Sequence, residues 1–203
     1  MVSKTEGREF TVAEAQVITG LTKRQLNNLI DDLTPLGIVH AGERRRTIDY
    51  KGLFTLPLSQ EMAELKIAPE LREQIIKVAL EQPYKKSVQA PNTNLYFYIK
   101  PIREKVEKGL EELNNAENNI TSDPEIMQGE PCIRGTRIPA YDVATIAKKH
   151  SIDEVKQTYP DLTDKQINLA CIFAAAHPRQ GRPKTVKLPG KSSKTVRKTV
   201  NIK

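Results

Sequence analysis

The sequence contains no tryptophan, and its aromatic residues make up only 5% of 203 residues. Apolar runs are also short. The longest, from Leu169 to Ala176, falls far below the ~20 residues that a membrane-spanning helix needs. Residues 1–10 are polar, and no apolar segment typical of a secretory signal follows them. These absences predict a cytoplasmic protein with no membrane contact.

Cysteine and histidine are scarce. Cys132 and Cys171 lie far apart, and the three histidines are scattered, so no group has the spacing of metal ligands. In the cytosol both thiols are expected to be reduced, with Cys171 a small core residue. No nucleophile has a histidine and an acid in a familiar arrangement. We therefore expect no metal, no cofactor and no enzymatic activity.

Acidic residues are missing from one region, residues 182–203, which contains eight lysines or arginines. The whole chain carries a net charge of +7, so residues 1–181 are left with a net charge of −1. A positive net charge favours binding to nucleic acid, but here that argument applies only to residues 182–203, the basic tail. DNA binding by the rest of the chain requires a local patch.

Two short helices are predicted near the start of the chain. Thr11 with Glu14, and Thr22 with Gln25, have the spacing of capping boxes. The first helix covers residues 12–18, and Gly20 lies in the turn after it. The second helix carries an apolar stripe at the spacing of one buried face, formed by Leu26, Leu29, Ile30 and Leu33. The pattern predicts a helix-turn-helix.

A hairpin with a basic tip follows, and then two helices over residues 51–65 and 70–81. This order is that of a winged helix. Residues 11–56 resemble the winged-helix DNA-binding domain of the MerR family, which implies DNA binding by the first third of the chain. The sequence lacks aromatic residues that many members carry in the second helix.

The polar face of the second helix and the hairpin tip are the candidate DNA contacts. Arginine, asparagine and glutamine pair with base edges, and lysine reaches phosphate. The candidates are Lys23, Arg24, Gln25, Asn27 and Asn28 on the helix, and Arg44, Arg45 and Arg46 at the tip. The alternatives are a solvated helix face and a solubilising turn, and Asp31 and Asp32 count against a surface that faces phosphate.

A connecting region is predicted between the two main segments. Residues 95–99 have strand composition, and Pro101 stops the strand. A charged helix over 102–115 has a thin apolar seam of Val106, Leu110 and Leu113. Such a seam suits a helix packed on a partner subunit or on the edge of a domain.

The third segment begins with tight turns and continues as three short helices over 142–149, 152–158 and 164–176. Ser151 with Glu154, and Thr163 with Gln166, supply capping boxes for the second and third helices. Short capped helices with brief connections predict a compact trihelical, helix-turn-helix-like domain.

The turns of this segment carry a distinctive motif. It comprises Asp123-Pro124, Gly129-Glu130-Pro131, Arg134 to Pro139, and Tyr159 to Thr163. The motif resembles a bacterial family long catalogued as a domain of unknown function and associated with antitoxins of the VapB type. Its glycine spacing fits no phosphate-binding loop. We instead expect a structural turn with arginine hydrogen bonds, within the chain or at a dimer interface, formed by Gly129, Pro131, Arg134, Gly135, Thr136 and Arg137.

The basic tail cannot bury enough apolar surface to fold alone, and its alternation suits a strand that pairs on binding. The antitoxin resemblance implies a PIN-like ribonuclease as partner, whose catalytic carboxylates would pair with cations of the tail. The candidates are Arg182, Lys184, Lys187, Lys194, Arg197 and Lys198. A nonspecific DNA-binding arm and a solubility tail are the alternatives.

Together these patterns predict a mainly α protein with a winged helix over 1–82, a connecting strand and helix over 83–119, a trihelical domain over 120–181 and a tail over 182–203. The expected function is that of a homodimeric type II antitoxin that inhibits a PIN-like ribonuclease and represses its own operon by binding operator DNA. A MerR-like regulator without a toxin partner, and an adaptor that has lost DNA binding, are the alternatives.

Overall fold

The computed structural model describes residues 7–41, 46–82 and 85–179. This part of the chain contains eight α-helices and seven strands of two or three residues, which confirms a mainly helical fold. The elements form two hydrophobic cores. Long helices near the middle and the end of the chain connect them.

The first core begins with two capped helices, as the sequence predicted. Thr11 and Thr22 each form a complete capping box, with Glu14 and Gln25 as their partners. Gly20 ends the first helix in the left-handed region, at φ 72°, where a side chain would be strained. The elements are β1 (Phe10–Thr11), α1 (Val12–Thr19), α2 (Lys23–Leu33), a 3₁₀ turn (Thr34–Leu36), β2 (Val39–Ala41) and β3 (Arg46–Ile48).

A small antiparallel sheet lies beside these helices. The strand order is β1-β3-β2. Ile48, in the central strand, pairs with Phe10 of β1 on one side and with Val39 of β2 on the other. Phe10 and Ile48 are completely buried. The β2–β3 hairpin was predicted, whereas β1 was not, because two residues are too few to show an alternating pattern.

Two further helices complete this region. Helix α3 (Tyr50–Glu64) begins at Asp49, whose carboxylate accepts from the Gly52 N–H at 2.7 Å. Helix α4 (Pro69–Glu81) begins at a proline, which is favourable in a first helical turn because its missing N–H has no partner there. The predicted limits of both helices are correct to within one residue.

The connecting region folds into a hairpin and one long helix. Strands β4 (Ser87–Gln89) and β5 (Tyr96–Tyr98) pair antiparallel, and α5 (Lys100–Asn119) follows directly. Strand β4 was not predicted. Pro101 does end the strand, but it does so by occupying the first turn of α5, which therefore starts earlier than predicted.

Helix α5 buries its apolar face in the first core and exposes its charged face. It packs against α1, α3 and α8, and Val106, Leu110 and Leu113 are buried in the first core. The seam packs within the chain, so the expected contact with a partner subunit is wrong, whereas the alternative of a helix on the edge of a domain agrees with the exposed residues on its other face. Its seam is widened by Gly109 and Ala116, two small residues that are also buried.

The second core is built from β6 (Ile120–Thr121), a 3₁₀ turn (Met127–Gly129), β7 (Cys132–Ile133), α6 (Ala140–Lys149), α7 (Ile152–Thr158) and α8 (Asp164–Ala176). The last two helices have their predicted limits. Thr163 forms a full capping box with Gln166, whereas Ser151 accepts only from the Glu154 N–H. Cys132 is the fully buried cysteine, and Cys171 is half-buried against this core.

Helix α8 belongs to both cores. Ile167 and Ala170 are buried in the second core, while Ala176 is buried in the first. The helix packs on α6, α5 and α1. In the described ranges, no helix combines the length and the apolar character needed to cross a bilayer.

Candidate functional site

Helix α2 separates apolar and polar residues sharply. Its four apolar side chains, Leu26, Leu29, Ile30 and Leu33, are at most 3% exposed. The opposite face is polar: Lys23, Arg24 and Asn28 are exposed, and Gln25 and Asn27 are half-buried. The structure thus brings the five predicted helix residues onto one accessible surface beside the β2–β3 hairpin.

Gln25 already has a structural role on this surface. Its side-chain oxygen accepts from the Thr22 N–H at 2.9 Å and from the Thr22 hydroxyl at 2.8 Å. Paired recognition of adenine uses both the oxygen and the amide N–H of glutamine. Gln25 would have to break its hydrogen bonds to Thr22 at the start of α2 to make such a pair. Arg24 and Asn28 are therefore better placed to contact bases.

An ion pair joins α2 to the hairpin. A guanidinium nitrogen of Arg46 lies 2.6 Å from a carboxylate oxygen of Asp31, and both side chains are exposed. Asp31, which had counted against a surface that faces phosphate, is therefore paired with a hairpin arginine. Arg44 and Arg45 lie outside the described residues.

The Arg134–Pro139 part of the motif, beside the second core, forms a tight turn, as predicted. Gly135 has φ 77°, in the left-handed region. The Thr136 hydroxyl donates to the Ile133 carbonyl at 2.8 Å and accepts from the Ile138 N–H at 3.1 Å. Glycine and threonine thus close the turn by backbone geometry and local hydrogen bonds.

The two arginines of the motif differ from the prediction. Arg134 and Arg137 are exposed, and within residues 7–41, 46–82 and 85–179 neither guanidinium has a recorded hydrogen bond or ion pair. The backbone of Arg134 is held, since its N–H donates to the Asn119 carbonyl at 2.8 Å. The expected hydrogen bonds within the chain are absent from this part, and a role at a dimer interface stays a prediction.

The other predicted turn contains three successive residues in the left-handed region, Met127, Gln128 and Gly129, with φ of 49°, 59° and 80°. Only glycine adopts such angles without strain. The Gly129 N–H donates to the Asp123 and Ile126 carbonyls, each at 3.1 Å. Pro131 fixes the exit, where its carbonyl accepts from the Ala140 N–H.

An open cleft of ≈ 680 Å³ lies beside this turn, lined by Met127, Gln128, Gly129, Glu130, Pro131, Tyr141 and Arg179. The guanidinium of Arg179 lies 4.4 Å from the centre of the Tyr141 ring and forms an ion pair with Glu130. Burial raises the pKa of Tyr141, whose hydroxyl donates to the His177 carbonyl at 2.6 Å. Arg179 and Glu130 already satisfy each other's charge.

A polar network ties the end of α8 to the first core. Arg8 donates to both oxygens of Glu117, at 2.7 and 3.1 Å, and to Glu14 at 2.7 Å. His177 lies 3.1 Å from the same Glu117 carboxylate. Burial opposes the charge of Glu117, but hydrogen bonding and the positive charge of Arg8, with a smaller contribution from His177, lower its pKa.

Ligand atoms of Glu14, Glu117 and His177 lie within 4.8 Å of one another, which is close enough for a metal site. The Arg8 guanidinium, however, hydrogen-bonds to both carboxylates and supplies the positive charge. This arrangement fits a structural ion-pair network. Sequence reasoning missed it because Arg8 and Glu117 are separated by 109 residues and no local pattern connects them.

Comparison with known proteins assigns the second domain. Residues 120–174 match the family described as "Protein of unknown function (DUF433)". These residues include β6, both predicted turns and almost all of the three helices, so the match supports a C-terminal domain of unknown function. The match confirms the predicted resemblance to a family of unknown function. The MerR and VapB resemblances stay predictions.

A relative matches over most of the chain. It is the uncharacterized protein y4eO of Sinorhizobium fredii (strain NBRC 101917 / NGR234), 26% identical over 181 residues, which span 84% of this chain and 82% of that protein. The likeness thus extends beyond the C-terminal domain. No solved structure matches this chain.

Proposed function

We propose that this protein is a DNA-binding antitoxin that contacts operator DNA with α2 and the β2–β3 hairpin and inhibits a PIN-like ribonuclease with residues 182–203. The observation that carries the DNA-binding half is the exposed polar face of α2, held next to a hairpin arginine. Helix α2 is the second helix of a helix-turn-helix, the position from which such proteins enter the major groove.

Three features support this placement. The four buried apolar side chains of α2 fix which face points outward. The order of α1, α2, β2 and β3, with β1 on the other side of β3, is one that a winged helix would have. The Asp31–Arg46 pair ties the hairpin to the helix, so both elements would meet one DNA duplex together.

The toxin-binding half rests on the antitoxin resemblance of the second domain and on the charge of the tail. Eight cations without an acid suit a partner site that gathers carboxylates. Arg182, Lys184, Lys187, Lys194, Arg197 and Lys198 lie outside the described residues, so this half is argued from sequence alone.

DNA binding is tested by a gel-shift titration with the DNA upstream of the gene. Arg24→Ala and Asn28→Ala should each weaken binding by about 10- to 100-fold, which corresponds to a lost base contact of ~1–3 kcal/mol. Lys149→Ala removes an exposed cation from α6 and serves as the control. Equal affinities for all four proteins would place the DNA contact elsewhere.

Toxin binding is tested by co-expression with the product of the adjacent gene. The full chain should capture a nuclease and suppress its activity, and a chain truncated after Gly181 should do neither. Capture by both chains would keep the antitoxin function and move its site out of the tail. Capture by neither, together with a specific gel shift, would favour the MerR-like regulator.

A further inference from the structure

Strand β5 is an exposed sheet edge with an unusual composition. Among the described residues, the large apolar side chains that are well exposed include Leu95, Tyr96 and Tyr98, at 40%, 53% and 71%. Phe97, between the tyrosines, is 5% exposed. The alternation places Tyr96 and Tyr98 together on the outer face and Phe97 in the core.

The backbone of β5 is satisfied on one side only. The Ala90 N–H donates to the Leu95 carbonyl at 2.8 Å, and the Ile99 N–H donates to the Lys86 carbonyl at 2.9 Å. In the register that pairs Val88 with Phe97, residues 95, 97 and 99 therefore point their polar groups toward β4. The N–H and C=O groups of Tyr96 and Tyr98 point to the opposite edge, and the sheet has no third strand in the described part of the chain.

This edge lacks the features that usually prevent sheet edges from pairing. Residues 92–99 contain no charged residue and no proline, and these are the residues that commonly block edge pairing. A neutral surface can meet a second copy of itself without like-charge repulsion. A nucleic acid or an acidic peptide, by contrast, would find no cation on the strand.

We propose that β5 pairs antiparallel with β5 of a second copy of this chain, making a four-stranded sheet across a two-fold axis. The free backbone groups fix the register, with Tyr96 opposite Tyr98 of the other copy and Phe97 at the axis. Each tyrosine then forms a cross-strand aromatic pair on the outer face.

The proposed DNA binding gives a further reason why the partner of β5 should be a second copy of this chain. This one argument rests on the proposed function. Helix-turn-helix proteins gain affinity by presenting two equivalent helices to two half-sites. A two-fold interface uses the same patch on both subunits, which is possible only for a self-complementary surface. The β5 edge has that property in its backbone groups and in its neutral charge.

The first experiment is the molar mass of the full chain in solution, measured without DNA by light scattering. We expect twice the chain mass of 22.8 kDa. Tyr98→Pro removes the outward N–H and the exposed ring without removing a hydrogen bond to β4, and it should yield monomers. Leu65→Ala, at an exposed apolar position on another surface, should stay dimeric. A monomeric parent chain, or a dimer that survives Tyr98→Pro, would overturn the proposal.

A second experiment tests the register and does not depend on Tyr98→Pro folding. Hydrogen-bonded antiparallel residues have Cα atoms ~5.5 Å apart, a distance that a disulfide spans. Tyr96→Cys chains mixed with Tyr98→Cys chains should cross-link on mild oxidation, whereas each variant alone should cross-link no more than the parent chain. No mixed cross-link, or equal cross-linking of each variant alone, contradicts this register.

The outcomes separate this proposal from the proposed function. A dimer that cross-links as expected but shifts no upstream DNA keeps the interface and removes the DNA-binding function. A monomer that still shifts the upstream DNA keeps the DNA-binding function and removes the proposed interface. If the full chain is a monomer, and single-stranded oligonucleotides quench its tyrosine emission more than that of a Tyr96→Phe, Tyr98→Phe chain, the surface is a nucleic-acid platform and the interface proposal is wrong.

Discussion

At the scale of single residues, Glu117 is the point where distant parts of the chain meet. Its carboxylate contacts Arg8 and His177, and its pKa lies below the usual value of 4.5. A group whose pKa falls on folding stabilises the fold above its unfolded pKa. That stabilisation is lost as the pH decreases through the folded value.

Glu117→Gln should therefore reduce the free energy of unfolding at pH 7 by about 1–2 kcal/mol. This effect is smaller than the loss expected for a fully buried ion pair, because Arg8 and Glu117 are partly exposed to solvent. The difference from the parent chain should shrink as the pH falls below 4.5. Urea unfolding between pH 7 and pH 3 measures both effects. Glu112→Gln, on an exposed position of the same helix, is the control, and a constant difference at every pH would contradict the ion-pair explanation.

At the scale of elements, the crossing of α1 and α5 depends on one glycine. A Cβ atom at Gly109 would lie 2.9 Å from both the Cα and the carbonyl carbon of Ile18, which are backbone atoms that cannot rotate away. Gly109→Ala should thus separate the two helices and destabilise the fold by about 1–3 kcal/mol, despite the better helix propensity of alanine.

Thermal and urea unfolding followed by circular dichroism provide the measurement. Gly7→Ala is a suitable control, because a Cβ atom there meets nothing within 4 Å. A Gly109→Ala chain as stable as the parent would mean that α1 and α5 do not cross this closely.

The elements also show which patterns can be read from the sequence. The limits of α7 and α8 follow from Ser151 and Thr163, because a cap and an apolar period are local signals. Strands β1, β4, β6 and β7 contain only two or three residues, so neither periodicity nor composition identifies them, and the partner of β1 is also distant in sequence.

The features of the candidate sites also divide into those that local sequence patterns predict and those that depend on tertiary packing. The polar face of α2 follows from the four apolar residues on its other side, and the structure places those residues as expected. The Asp31–Arg46 pair and the contact of Arg8 with Glu117 depend on how elements far apart in sequence pack. The hydrogen bonds within the chain that were expected of the Arg134 and Arg137 side chains are not found among the described residues, because a motif specifies residue types and not their surroundings.

At the scale of the whole molecule, α8 connects the two cores. Ile167 and Ala170 anchor it in the second core and Ala176 in the first, and His177 adds the polar contact with Glu117. The two regions should therefore unfold in one transition, since neither keeps its core intact when α8 leaves. Peptide-resolved hydrogen exchange in urea should show the same midpoint for α2 and for α6.

Ala176→Glu should break this coupling. The new carboxylate would enter a site that is 2% exposed, at a cost of about 3–5 kcal/mol for an unpaired buried charge. The exchange midpoints of α2 and α6 should then separate, because α8 would keep its contacts with the second core and lose those with the first. Ala175→Glu is a matched control, since Ala175 is exposed on the same turn. If the midpoints stay together in Ala176→Glu, α5 alone is enough to join the two cores.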